Sequence, residues 1–445
     1  MSHPDPDAPP MIQPLDVDAA DKLLVRELNS MSMQEIGQVY EEIHGVHQVI
    51  NETPEFVQER LAALTANLHR IPLKEAYDIA YRKGPQYVTD PKFLLMFLRA
   101  DEFDAAKASD RVVKFHEGLR QYFGTGVLGR PLTLLDLNKD DMVCLKAGAL
   151  QRLTSRDSSG RAVVVEQTNM MLTKFYKHAD NVIRATLYFL ITLVQTDELS
   201  QKRGLVAVMY FIGSTIFGQE IDEELWKKGP EVLPWLPFRY TAFHLCTNDV
   251  VSHVLTPIFK LAIGRKHRCR LRVHNGEHME CRYRLMSFGI PVDCFPVTYD
   301  GKAKTKDHHK WIAKQRIRED SLRTEGSFRG VDLPGDRDVL LGRGKAIYSH
   351  KGNVWMKHLV NEYFDHFEDA KYGEKFLITA TLVSNIKQEG GRFLKLRSDG
   401  WWEVADDKLA ADKVSHAFRT ARLETGSSPR TNTATTSGAA KKIRM

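Results

Sequence analysis

The sequence predicts a multidomain chain: an all-α N-terminal lobe, an α/β domain with a mostly parallel sheet, and a small α+β C-terminal module with a β-hairpin. Three observations carry this reading. Apolar residues recur at helical spacing through about residue 125. After Arg130-Pro131, short β-rich runs alternate with helical segments, as in a layered α/β fold. Near the C-terminus, GRFLKLRSDGWWEV sets two alternating runs around Ser398-Asp399-Gly400, a strong hairpin signal.

Residues 1–17 are rich in Pro and Asp and are expected to be disordered. The helical lobe spans 18–125. Leu23, Leu24 and Leu28 fit one face of a first helix. A second is expected from Gln34 to about Asn51, with Ile36, Val39, Tyr40, Ile43 and Val46 at helical spacing. Pro54 marks a fresh start, and Phe56–Leu68 continues as a helix. Asp104 is a good N-cap residue. Val112, Phe115, Leu119 and Tyr122 follow as one stripe, and Gly124 ends it.

The α/β domain is expected over 126–300. Its strands are read at Arg161–Gln167, Leu205–Ile212, Arg239–Thr247 and Cys269–His274. LVAVMYFI, at 205–212, is apolar without alternation, as suits a strand covered on both faces. Between the strands lie helices over 181–199, 222–232, 249–263 and 277–288. A basic linker follows over 301–332, with a helical part around Trp311–Asp320. The C-terminal module is placed at 333–423: one helix capped by Asn353, a second over 374–386, the hairpin, and a last helix over 406–422. Residues 424–445 read as a disordered tail.

Composition narrows the function. The chain is 42% hydrophobic and 27% charged, with a net charge of +6 over 445 residues, an ordinary globular profile. Five cysteines without a C-x-x-C pair suit a reducing compartment. The start lacks the apolar core of a signal peptide, and the longest apolar run, Leu187–Val194, is too short to span a bilayer. A soluble cytoplasmic protein with transient membrane association is expected, nuclear residence being the other option.

No catalytic set assembles, so no enzyme is expected. Around Gly342-Arg343-Gly344-Lys345, Val339 stands where a phosphate loop needs its first Gly, and Ala346 follows the Lys. Glu166 and Glu220 are single carboxylates without visible partners. His267, Cys269, His274, His278 and Cys281 cluster in sequence, yet their spacing fits no zinc module. No metal and no cofactor is expected.

Two stretches then carry a family resemblance. LMFLRADEFDAAKASDRVVKFHEGLRQYF, Leu95–Phe123, resembles the N-terminal signature of the CRAL-TRIO family, with Phe97-Leu98-Arg99-Ala100, Phe103-Asp104 and Lys107-Ala108 in register. The element order from Asp157 to Phe295, closing on Gly289-Ile290-Pro291-Val292, resembles its lipid-binding half. The upstream run Tyr40–Val46 resembles a segment that precedes this domain in some algal members. The resemblance implies one bound lipid or isoprenoid between the sheet and an apolar lid helix, here 250–263. It implies pocket and lid residues Val251, Val254, Leu255, Ile258, Phe259 and Leu261, with Val208, Tyr210 and Phe243 on the sheet.

Arg265, Lys266, Arg268, Arg270 and Arg272 directly follow the lid. They are read as a basic patch for anionic head groups or a membrane surface, with 268, 270 and 272 on one face of a strand. The plainer alternative is a core helix beside a solvated basic edge. The function expected is binding and transfer or presentation of one hydrophobic ligand: a phospholipid, phosphoinositide or isoprenoid.

The alternative is a regulatory or scaffold protein acting through the C-terminal module. Asp338–Gly344, His350–Asn353 and Gly391–Leu394 resemble a domain of unknown function common in algal proteins. Arg392, Lys395, Arg397 and the pair Trp401-Trp402 suit a nucleic-acid wing or a protein-docking surface, or the tryptophans are core. Lys and Arg outnumber Asp and Glu by only two across 333–423, little for a nucleic-acid footprint.

Overall fold

A computed structural model describes residues 17–167, 170, 175–212, 222–248, 256–257, 259–261 and 263–425. The chain divides into two compact units. The first runs to Leu333 and takes in Asp399–Trp401; the second holds 334–398 and the residues from Trp402 onward.

The first unit opens with helices at Val17–Asn29 and Met33–His44. Ser32 and Glu35 form a reciprocal capping box at the start of the second. That helix ends at His44 with Gly45 as its C-cap, short of the expected stop near Asn51. Gly45 sits at φ 69°, and a Cβ there would stand 2.3 Å from Ser159 Oγ, so glycine is required twice over. Pro54–Arg70 begins at the expected proline. Pro91–Ala100 and Ala105–Phe123 follow the short helices Glu75–Lys83 and Pro85–Val88. Asp104 caps Ala105–Phe123, accepting from the N–H groups of Ala106 and Lys107 at 3.1 Å each. Val112, Phe115, Leu119 and Tyr122 are all buried.

These helices do not make a separate lobe. Leu64, Phe97, Phe115 and Leu119 share one continuous apolar core with Val164, Phe189 and Leu205 of the α/β layer. The change near residue 125 is one of secondary structure and not of core.

The sheet has the order β1 (Leu150–Arg152), β2 (Ala162–Gln167), β3 (Leu205–Tyr210), β4 (Tyr240–Thr247) and β5 (Leu271–Asn275). β1 runs antiparallel to β2, and all other pairs are parallel. Side chains alternate between the faces. Ala162, Val164, Ala207, Met209 and Phe243 point to the front, under the helix Ala179–Thr196. Val163, Val165, Val206, Val208, Tyr210 and Ala242 point to the back, against Val39 and Ile43 of Met33–His44 and Cys281 and Leu285 of His278–Ser287. The register slips between Leu205 and Val206 opposite β4. This irregularity puts Tyr240 and Phe243 in the same front-face core although they are three residues apart.

The expected basic linker is a structural helix. Lys306–Glu325 buries His308, Trp311, Ile312 and Gln315. Trp311 packs 4.8 Å from the Phe189 ring, and His308 Nε2 lies 2.7 Å from the Leu145 carbonyl. Glu319 accepts from the Tyr188 hydroxyl at 2.7 Å. Of the charges that suggested a linker, Lys306, Lys310, Arg316 and Arg323 are exposed, whereas Lys314 is largely buried and pairs with Asp332.

The second unit has its own core of Val339, Met356, Leu382, Phe393 and Phe418. Its helices include Lys351–Glu362, Tyr372–Gln388 and Asp407–Thr425. The hairpin is present as β7 (Phe393–Leu396) paired antiparallel with β8 (Trp402–Val404), and β6 (Val339–Leu341) adds a parallel strand beside β7. Asn353 lies within the first helix; His350 is the capping residue.

Candidate functional site

An apolar cavity lies over the front face of the sheet. It encloses about 190 Å³, within about 1100 Å³ of atom-free space that includes its open mouth. Its floor is Leu150 of β1, Glu166 of β2, Ala207 and Met209 of β3, and Tyr240 and Phe243 of β4. Val182, Ile183, Thr186 and Leu190 of Ala179–Thr196 form one wall. Leu225, Val232 and Leu233, at and just after the helix Glu223–Val232, form another, and Phe259 and Ile263 close a third side. Each wall is apolar because each element turns one stripe toward the core. Such a space, lined by hydrophobic side chains with few polar groups, is the usual form of a small-molecule site.

Phe243 and Phe259 line this cavity. The Phe259 ring packs at 5.4 Å on Phe211, edge to face. Val251, Val254, Leu255 and Ile258 lie outside the described residues. Leu261 is half-buried and is not among the lining residues. Val208 and Tyr210 need correction: both face the back of the sheet, where the Tyr210 hydroxyl meets His278 Nδ1 at 2.5 Å. In a strand buried on both sides, apolar character does not say which face a residue serves.

The basic patch also changes. β5 begins at Leu271, and Arg268 belongs to the short helix Arg265–Arg268, so the arginines do not share a strand face. Arg268 is 5% exposed. It pairs with Glu27 and donates to the carbonyls of Lys260 and Leu261. Arg270 pairs with Glu42, its Nε 2.6 Å from a carboxylate oxygen. Arg272 donates to the carbonyls of Cys269 and Leu271 at 3.1 and 2.9 Å. Arg268 and Arg270 thus neutralise acids of the chain itself. The side chains of Arg265 and Lys266 lie outside the described set.

Glu166, Thr186 and Tyr240 supply the polar groups of the lining, and sequence reasoning assigned none of them to the pocket. Glu166 had stood out as a carboxylate without a visible partner. Burial pushes its pKa up to about 7. The buried histidines behind the sheet form a different cluster. His244 Nδ1 and His274 Nε2 are 2.8 Å apart, their rings stacked at 12°.

In the hairpin, Trp401 is 1% exposed and donates through Nε1 to the Lys314 carbonyl at 3.2 Å. It is a core residue of the first unit and not a docking surface. Arg392 makes bonds of 3.0 and 2.7 Å to Asp338, which occupies it within the second unit.

A largely parallel sheet with an apolar cavity under its covering helices fits the arrangement that the CRAL-TRIO resemblance implies. Curated proteins similar to this chain share a name that describes transfer. The chain is 26% identical over 240 residues to mouse alpha-tocopherol transfer protein-like, covering 53% of this chain and 66% of that one. It is 25% identical over 249 residues to the human and orangutan (Pongo abelii) proteins of the same name, covering 55% of this chain and 69% of each. Residues 338–420 match a family described as a domain of unknown function (DUF6824). Among the described residues, no helix is long and apolar enough to cross a membrane.

Proposed function

We propose that the protein binds one hydrophobic ligand in the cavity over the sheet and transfers or presents it at membranes. The cavity itself carries this reading: apolar walls from three directions meet over a floor with few polar groups. The names of the relatives support it, since they describe transfer of a lipid-soluble molecule. Phe259 closes the site from the segment that the family resemblance marks as the lid. The test is native mass spectrometry with lipid extraction on the full-length protein, before and after incubation with mixed liposomes. Ala207→Phe is the matched variant, because Ala207 sits on the cavity floor and a bulky ring there occupies ligand space. A bound lipid in the wild type, lost in a folded Ala207→Phe, is the expected result. A wild type that stays empty after liposome incubation overturns the proposal.

A further inference from the structure

We propose that the first unit holds a second ligand site, separate from the front cavity, which takes an organic carboxylate with an aromatic body and meets its charge with Arg318. The site is a cavity of about 640 Å³, within about 1520 Å³ of atom-free space that includes its mouth. It shares no lining residue with the front cavity.

The cavity lies beside the helix Lys306–Glu325. Trp311, Gln315, Arg318 and Leu322 recur three and four residues apart and so share one face. Trp311 and Gln315 are buried, and Arg318 and Leu322 carry the same face into the cavity. Phe93, Leu95 and Met96 of Pro91–Ala100 form another wall, and Phe328 and Trp401 a third. This last wall is held in place from several directions. The Phe328 and Trp401 rings meet edge to face at 4.7 Å, and Lys314 Nζ lies 4.7 Å over the Trp401 ring. A Cβ on Gly330 would stand 2.5 Å from Phe328 and 3.0 Å from Trp401, so only glycine lets the two rings close here.

Arg318 enters this space as a half-buried cation without a counter-ion. Among the described residues its one hydrogen bond runs to Gln315 Oε1 at 3.5 Å, which is long for such a bond. The acids whose charge it feels are taken by other groups. Glu319 accepts from the Tyr188 hydroxyl and the Leu134 N–H at 2.7 and 2.8 Å, and Asp332 pairs with Arg152 and Lys314. The other charges of the lining are engaged or outward: Arg99 pairs with Glu52 and Glu198, Asp90 accepts from the Lys92 N–H at 2.9 Å, and Lys92 is exposed. Burial pulls the Arg318 pKa below its ordinary value, yet a guanidinium stays charged in a protein.

A cation on the buried face of a helix is costly unless an opposite charge meets it, and the chain supplies none. The planar fork of a guanidinium matches a carboxylate with paired hydrogen bonds. One cation suits one negative charge; a phosphate monoester carries close to two at neutral pH and would leave charge unmet. The ring-lined walls then receive an aromatic body by stacking and edge contacts, and the volume is that of a small-molecule site.

The test is isothermal titration calorimetry on the full-length protein with benzoate, 1-naphthoate and pyrene-1-carboxylate, the methyl ester of each, and 1-naphthyl phosphate. At least one carboxylate should bind wild type about 10-fold more tightly than its ester, the scale of a charge-assisted hydrogen bond, and 1-naphthoate should bind more tightly than 1-naphthyl phosphate. Arg318→Leu should bind the preferred acid and its ester within about 2-fold of each other. Leu322→Trp fills the cavity, should weaken the same acid by about 10-fold, and decides the matter if Arg318→Leu does not fold. Carboxylates no tighter than their esters, a phosphate tighter than the carboxylate, or acid binding unchanged in a folded Arg318→Leu or Leu322→Trp each overturn the proposal. None of these results bears on the front cavity, which Ala207→Phe tests separately.

Discussion

Replacing Arg161 with Met should destabilise the first unit by about 4 kcal/mol. Arg161 is 2% exposed and immediately precedes β2. Its Nε donates to Asp157 Oδ2 at 2.7 Å, and Asp157 is itself 1% exposed. Its other nitrogens reach the carbonyls of Glu42 and Ile43 and the hydroxyl of Thr241. Those carbonyls belong to the last turn of Met33–His44, where a helix has acceptors without intrahelical donors. The guanidinium therefore ties three things together: a buried carboxylate, a helix end and the sheet. Removing one partner of a buried ion pair costs about 3–5 kcal/mol. Asp157 keeps the backbone N–H groups of Ser159 and Arg161 at 3.0 and 2.8 Å, which holds the loss inside that range. The assay is urea unfolding of the larger unit followed by circular dichroism. It should be run as a cycle with Asp157→Leu, where a coupling of about 2 kcal/mol is expected. A cost below about 1 kcal/mol, or an identical cost in the Asp157→Leu background, would refute the ion-pair argument.

Two further outcomes are expected. Burial pushes His116, His274 and His308 each down to about 4. Between pH 6.5 and 4 the unfolded chain takes up protons that the folded chain refuses, so stability should fall as pH falls through that window. Each histidine contributes up to about 3 kcal/mol. Glu166, whose folded pKa is raised, opposes this between about pH 4.5 and 7. Urea midpoints at pH 7, 6 and 5 check the slope, and no decline by pH 5 would contradict it. In the second unit, Asp338 is 2% exposed and accepts from Gly335 N, Arg392 N and the Arg392 guanidinium. Asp338→Ala should cost that unit about 3 kcal/mol, read as a lowered transition for residues 334–398 and 402–425 in hydrogen exchange, with the sheet of the first unit unmoved.

The order of elements was legible because strands such as LVAVMY and stripes such as Val112, Phe115, Leu119 and Tyr122 announce themselves by local pattern. What escaped was set by distant parts of the chain. Arg268 and Arg270 looked like a free basic run, yet their acids are Glu27 and Glu42, more than 200 residues earlier. Tyr240 joins Phe243 only through a register slip that no local spacing signals. β1 is three residues long, below what periodicity can detect. The helix Lys306–Glu325 was readable in principle: positions 308, 311, 312 and 315 are spaced as one helical face, and its surface charges drew attention away from them. Glu166 is the reverse case. The sequence showed a carboxylate without a visible partner, and the fold places no partner beside it among the described residues.

The position of β3 bears on how the chain avoids sticking to itself while it folds. LVAVMY is six apolar residues without a charge or proline, the composition of a segment that stacks readily into fibrils. Strand order places it third of five, with both backbone edges engaged by β2 and β4. The outer position beyond β2 goes to Leu150–Arg152, too short to template a long foreign strand. All the β3 pairings with β4 link residues more than 30 positions apart, so they form late. The interval before they close is when this protein is most exposed to self-association, and slower synthesis or a holding chaperone should matter most there.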